Sequence, residues 1–169
     1  MTETIALVTG GNKGLGRESV RRLAGMGWQV FLAARDVGRG AAAAAEFAAD
    51  GLDVRFVALD VTSDESVAAA ADAVKAAAGR LDVLINNAAI AGPHTAPSDT
   101  VPDELREVFE TNVFGPIRVT NAFLPLLRVS DHPRIVMVSS GVGSIATISE
   151  PRFVGLLPPA LGSPAPRRR

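Results

Sequence analysis

Cysteine and tyrosine are missing altogether from these 169 residues, and histidine occurs only as His94 and His132. Without cysteine there is no disulfide, no thiolate nucleophile and no cysteine-held metal. Neither histidine has a partner at a metal-ligand spacing such as His-x-x-x-His, so no metal site is expected. The lack of tyrosine removes the phenol as a proton donor. No apolar stretch reaches bilayer length, and no basic segment precedes an apolar block at the N-terminus. The expectation is therefore no membrane partner and a cytoplasmic protein. A surplus of one charge is lacking too: 17 Lys+Arg face 18 Asp+Glu, a net charge of −1. That balance gives no electrostatic case for a nucleic-acid partner. The one basic run, Arg167–Arg169, reads as a solvated tail.

What is present is an apolar chain, 47% hydrophobic, long enough for one domain with a sizeable core. Strands and helices alternate, and the strands are apolar nearly throughout, the pattern of a parallel sheet covered on both faces. Strands are expected at Ile5–Val8, Val30–Ala34, Val54–Leu59, Leu81–Ile85 and Arg134–Val138. Helices are expected over Gly16–Met26 and over the alanine-rich Gly40–Asp50, closed by Gly51. Thr62 and Glu65 stand at capping-box spacing and open a third helix, with Val67, Ala70, Val74 and Ala77 on one stripe and Gly79 at its end. A long helix starts at Pro102 and continues past Pro116 to Leu127; Pro116, lacking an N–H, should bend it. Leu105, Val108, Phe109 and Asn112 share one of its faces, so the Asn112 amide needs polar partners.

Between the first strand and first helix lies Thr9-Gly10-Gly11-Asn12-Lys13-Gly14-Leu15-Gly16. A glycine-rich turn at this place lets backbone approach a dinucleotide pyrophosphate, which meets free N–H groups and the positive dipole end of the helix. At the end of the second strand stand Arg35 and then Asp36. A ribose 2′-hydroxyl wants a carboxylate there, and a 2′-phosphate wants cations. Arg35 can fork onto a phosphate and Lys13 can reach the same region, which favours NADP(H) over NAD(H); Asp36 is the counter-argument.

The spacing Thr9-Gly10-x-x-x-Gly14-x-Gly16 resembles the fingerprint of the short-chain dehydrogenase/reductase family. Four further motifs follow in that family's order: Asp60-Val61, Asn86-Asn87-Ala88, Asn112 within a helix, and Ser139-Ser140 after a strand. The resemblance covers about residues 4–147, and the runs Thr9–Gly16 and Ala34-Arg35-Asp36 look most like the carbonyl-reductase branch. It implies a Rossmann-type doubly wound parallel sheet in three α/β/α layers, reduction of a small carbonyl or oxidation of an alcohol, and an oligomeric habit. It also implies roles. Gly10, Asn12, Lys13, Gly14, Leu15, Gly16 and Arg35 would hold the coenzyme phosphates and Asp60 the adenine amino group. The Val61 backbone would meet the ring, Asn86 and Ala88 would line the coenzyme's path, Asn112 would hold a relay water, and Ser140 would bond the substrate carbonyl. Where the family has Asn-Asn-Ala-Gly this chain has Ala89 for the glycine, which costs stability if that position needs a positive φ.

The resemblance also implies a Tyr-x-x-x-Lys motif, in which a lysine lowers the pKa of a tyrosine that protonates the product oxygen. Here there is no tyrosine, the last lysine is Lys75, and Leu161 and Ala165 stand where the pair would align. After about Ile148 the periodicity is lost among Pro151, Pro158, Pro159, Pro164 and Pro166. The expected organisation is a dinucleotide-binding domain over 1–148 and an irregular Pro/Arg-rich tail over 149–169, truncated by a frameshift or early stop. The sheet is then incomplete at its C-terminal side, with an exposed edge and an uncovered apolar helix surface. Three functions stay open on this reading: an NADP(H)-linked reductase with little or no turnover, a non-catalytic NADP(H)-binding module, and a non-functional fragment.

Overall fold

The computed structural model describes residues 4–92 and 99–143. His94, Leu161, Ala165 and the tail at 149–169 lie outside the described residues. Those described fall into two compact units, one holding residues 4–90 and 109–138, the other 91–92, 99–108 and 139–143.

The first unit carries five parallel strands: β1 (Ile5–Thr9), β2 (Gln29–Ala34), β3 (Val54–Ala58), β4 (Val83–Asn86) and β5 (Arg134–Met137). Their order is β3-β2-β1-β4-β5. The order reverses between β1 and β4, which pair in the register Leu7↔Leu84. A reversal of this kind opens a crevice at the carboxyl ends of the strands, where open α/β sheets bind ligands.

Side chains two apart on the strands separate into two cores. Leu7, Phe31, Ala33, Val57 and Leu84 face one way, against Val67, Ala70 and Val74 of α3 (Asp64–Ala78) and Val119, Phe123, Leu126 and Leu127 of α5 (Gly115–Leu127). Val8, Val30, Leu32, Ala34 and Val54 face the other way, against Val20 and Ala24 of α1 (Gly14–Gly25) and Ala43, Ala44 and Phe47 of α2 (Val37–Ala49). The three-layer arrangement follows directly from this alternation. Among the described residues, no helix is long and apolar enough to cross a membrane.

Three local expectations are corrected. Helix α2 starts at Val37 rather than Gly40, because the Asp36 carboxylate accepts the Arg39 N–H and caps it. Helix α3 is capped by Ser63, whose hydroxyl accepts the Ser66 N–H; the Thr62 hydroxyl instead donates to Asp60. The long helix is divided: α4 (Pro102–Phe109), a π-turn at Glu110–Phe114, then α5 with Pro116 in its first turn. The Gly115 N–H reaches back five residues to the Glu110 carbonyl. Pro116 thus sits just beyond a register shift, where its missing N–H costs least. The apolar stripe of α4 is exposed, a surface of the uncovered kind that was expected: Leu105 and Phe109 stand in solvent and none of its residues is buried.

Asp82 ties together the opposite end of the sheet. Its carboxylate accepts the Ile5 N–H at 2.8 Å, the Ser130 hydroxyl at 2.6 Å and Arg80 Nε at 3.3 Å, while its backbone carbonyl accepts the Arg134 N–H at 2.8 Å. Burial works to raise its pKa, but the bonds from Ser130, Ile5 and Arg80 outweigh it and hold the carboxyl below the ordinary aspartate value. A lowered folded pKa contributes stability above the unfolded value of about 3.9, lost as pH falls through the folded one. Asp82→Asn is therefore expected to cost about 1–3 kcal/mol at neutral pH. The gap to wild type should close as pH is lowered below about 4, as read by urea denaturation across that range.

Candidate functional site

The cleft at the carboxyl ends of β1, β2 and β3 is assembled wholly from the first unit. It encloses about 380 Å³ and is lined by the turn after β1 (Gly10, Asn12, Lys13, Gly14, Leu15, Gly16), by Arg35 and Asp36 after β2, and by Leu59 to Thr62 after β3. Asn87 to Ile90 and Thr111 complete it.

The turn is shaped by contacts that leave no choice of side chain. Thr9 anchors it from below: its hydroxyl accepts the N–H groups of Asn87 (2.9 Å) and Ala88 (3.0 Å) and donates to the Ile85 carbonyl (3.3 Å). The Asn87 side-chain amide donates to the Thr9 carbonyl at 2.8 Å, which stitches β1 to the strand across the crevice. A Cβ at Gly16 would lie 2.4 Å from that amide nitrogen and 2.4 Å from the Gly10 carbonyl oxygen. Gly14 differs: its φ is +54°, yet a Cβ there would meet nothing within 4 Å. Gly14 thus lines the cleft with open space where a Cβ would stand. Lys13, at the N-cap of α1, is extended and offers no side-chain cap, and no carboxylate stands in the first turn. The leading N–H groups of α1 are left for an anionic group.

The cations complete this picture. Among the described residues, Lys13 and Arg35 are exposed and make neither ion pair nor side-chain hydrogen bond. Asp36 is already engaged. The Arg39 N–H (2.9 Å) and then the Arg39 guanidinium (2.6 Å) hold its pKa below the ordinary aspartate value. Arg39 lines the cleft four residues after Arg35 and was not expected; its helical offset from Arg35 and its place behind a capping aspartate were the available signal.

Asp60 is half-buried, and burial works to raise its pKa. Two bonds from Thr62 to Oδ1 (2.9 Å from N–H, 2.7 Å from hydroxyl) and the fields of Arg35 and Arg118 outweigh this and lower it. Its other oxygen accepts no bond from the described residues, leaving an ionised acceptor in the cleft beside buried Val61.

Three expected site residues are not among those lining this cleft. Asn86 is buried at the end of β4, its amide donating to Thr120 Oγ1 (3.2 Å) and Met137 Sδ (3.4 Å); its neighbours Asn87 and Ala88 form the lining. Asn112 sits in the π-turn with both ends of its amide on the Ile90 backbone, accepting its N–H and donating to its carbonyl, each at 2.9 Å. Thr111, one residue earlier, is the cleft residue. Ser140 belongs to the second unit, where its carbonyl accepts the Gly143 N–H at 2.9 Å. Ala89 carries no strain, since every described residue with positive φ is a glycine.

Comparison with known proteins gives a consistent set of likenesses. A model described as short chain dehydrogenase matches residues 4–153. Short-chain dehydrogenase/reductase 1 of Saponaria officinalis is 39% identical over 170 residues, covering 88% of this chain and 56% of that protein. Carbonyl reductase (NADPH) 1 of Pongo abelii is 42% identical over 139 residues, covering 80% and 48%. A metagenomic short-chain oxidoreductase solved in complex with NADP superposes with a TM-score of 0.76 at 33% identity, covering 83% of this chain and 64% of that one. The chain thus spans about half the length of these curated relatives.

Proposed function

Because this chain belongs to the short-chain dehydrogenase family, we propose that its cleft binds NADP(H) in preference to NAD(H), on a fold made for hydride transfer between a small carbonyl and its alcohol. The observation that carries this reading is the meeting of an uncapped helix N-terminus, the open side of Gly14, and the unpaired cations Lys13 and Arg35. These groups suit a pyrophosphate and a 2′-phosphate respectively.

In this reading the backbone of Gly10 to Gly16, with Asn12 and Leu15, cradles the pyrophosphate. Lys13 and Arg35 grip the 2′-phosphate with Arg39 beside them. Asp60 accepts the adenine amino group on its open oxygen, and Val61 packs against the ring. Ala88 lines the path, while Asn86 acts from beneath by fixing the end of β4 to α5 and β5. The coenzyme, when bound, supplies the hydride. Asn112 fixes the Ile90 backbone and holds a water for proton delivery, and the Ser140 hydroxyl donates to the substrate carbonyl oxygen. A ketone, aldehyde or quinone is the substrate class, consistent with the carbonyl reductases among the relatives.

A second reading, binding without turnover, applies to these 169 residues taken alone, which contain no tyrosine. A general acid is worth roughly 10²–10⁴ in rate, so this polypeptide is expected to hold the coenzyme and reduce carbonyls poorly. Titration calorimetry with NADPH and NADH separates the readings. One NADPH should bind per chain, at least about tenfold more tightly than NADH. Consumption of NADPH with a panel of ketones and quinones should not exceed that of Ser140→Ala. No heat with either coenzyme would end the proposal, and turnover well above the Ser140→Ala control would reject the second reading.

A further inference from the structure

One side chain outside the lining of the cleft bonds to two of the segments that supply that lining. The Arg118 guanidinium, on α5, uses each of its three nitrogens on a different element. Nη1 donates to the Val61 carbonyl at 2.7 Å, and Val61 is cleft wall. Nη2 donates to the Glu110 carboxylate at 2.7 Å, and Glu110 opens the π-turn whose next residue, Thr111, also lines the cleft. Nε donates to Asp64, in the first turn of α3. The side chain is only 20% exposed.

A second observation marks the same place. A Cβ at Gly115 would lie 2.9 Å from Val61 Cγ2 and 3.1 Å from Val61 Cβ, so α5 is pressed directly onto the residue whose carbonyl Arg118 holds. Helix α5 thus holds Val61 twice, by steric contact at its side chain and by a charge-assisted bond at its carbonyl. Backbone carbonyls, unlike side chains, can be gripped without altering what the residue shows to the cleft. The planar fork of arginine is suited to three partners at once, which a lysine ammonium on a flexible stem is not.

We infer that Arg118 is a positioning residue that sets the spacing between the Val61 and Thr111 walls of the cleft, and so the fit of the adenine half of a dinucleotide. The inference rests on the coenzyme reading above. It goes beyond it by assigning a distance-setting role to a residue that does not itself line that cleft. Arg118 also ties the adenine side to the π-turn that carries Asn112, so both sides of the proposed site share one fastening.

The test uses the full chain and 2′,5′-ADP, which carries the adenine half alone. Arg118→Ala is expected to weaken its binding about tenfold with the stoichiometry kept near one. Arg118→Lys, able to serve one partner in place of three, should recover only part of the loss. Arg118 opens onto a groove of about 570 Å³ shared with Asp64 and Glu110, so low-millimolar guanidinium ion should restore affinity to the alanine variant and leave wild type unchanged. In the absence of ligand, amide signals of Val61–Thr62 and of Thr111–Asn112 should shift together in Arg118→Ala. Unchanged affinity in a folded Arg118→Ala overturns the inference. So does a fall in stoichiometry at constant affinity, which marks unfolding in place of misplacement. If wild type binds no 2′,5′-ADP, the coenzyme reading itself falls and takes the inference with it.

Discussion

Gly16→Ala is expected to abolish coenzyme binding, with affinity for NADPH falling more than about a hundredfold. The reason is local and rigid. The added methyl would stand 2.4 Å from the Asn87 amide nitrogen and 2.4 Å from the Gly10 carbonyl oxygen. Neither neighbour can yield cheaply: Asn87 is bonded to the Thr9 carbonyl, and Gly10 is the backbone of the turn itself. Relief requires the first turn of α1 to lift away, and this moves the leading N–H groups that the phosphates would meet. Overpacking of this kind also costs about 1–3 kcal/mol of stability. Gly25→Ala is the matched control. It lies on the same helix with nothing within 4 Å of its would-be Cβ and no positive φ, so both binding and stability should be kept. Calorimetry and urea denaturation of the two variants side by side provide the check. Binding by Gly16→Ala within about threefold of wild type would refute the role given to this turn.

Arg35→Glu is expected to invert the coenzyme preference. The 2′-phosphate is the sole difference between the two coenzymes, and Arg35 with Lys13 supplies positive charge that no carboxylate among the described residues pairs. Reversing one of these charges replaces a charge-assisted contact with repulsion and should lower NADPH affinity by about two orders of magnitude. NADH, which offers a hydroxyl at that place, should lose little or gain. Wild-type affinity for NADPH should also fall more steeply with salt than affinity for NADH, since exposed charges are screened. Asp36 does not spoil the argument, because its carboxylate is occupied by the cap of α2 and by Arg39. An equal loss of both coenzymes in Arg35→Glu would show that Arg35 acts on the fold and not on the phosphate.

The strand positions, the parallel sheet and the glycine turn were legible because they are written in contiguous residues: apolar runs, and a Gly-rich segment at the strand-to-helix junction. Helix starts were less so. In the sequence Asp36 reads as a carboxylate for a ribose hydroxyl, and its role as the cap of α2 comes to light only in the Arg39 N–H at 2.9 Å. Thr62 and Ser63 both precede α3, and Thr62 lost the cap because Asp60 engages its hydroxyl. Before Pro116, where a bend was expected, the helix changes register through the π-turn at Glu110–Phe114, a shift that an apolar periodicity does not announce. Asn112 asked for partners in the sequence, but their identity, the backbone of Ile90 twenty-two residues away, is a tertiary fact. Arg118 gave no sequence signal at all. Its three partners, Val61, Asp64 and Glu110, converge only when α3 and α5 pack side by side.

β5 has consequences for the handling of the molecule. Among the described residues it pairs with β4 alone, and Ile135, Val136 and Met137 are each more than 40% exposed. An aliphatic strand left open along one side is a template on which a second polypeptide can polymerise edge to edge. Purified material should therefore lose monodispersity as its concentration rises, and a lysine in place of Val136 should delay that loss while leaving the nucleotide crevice untouched.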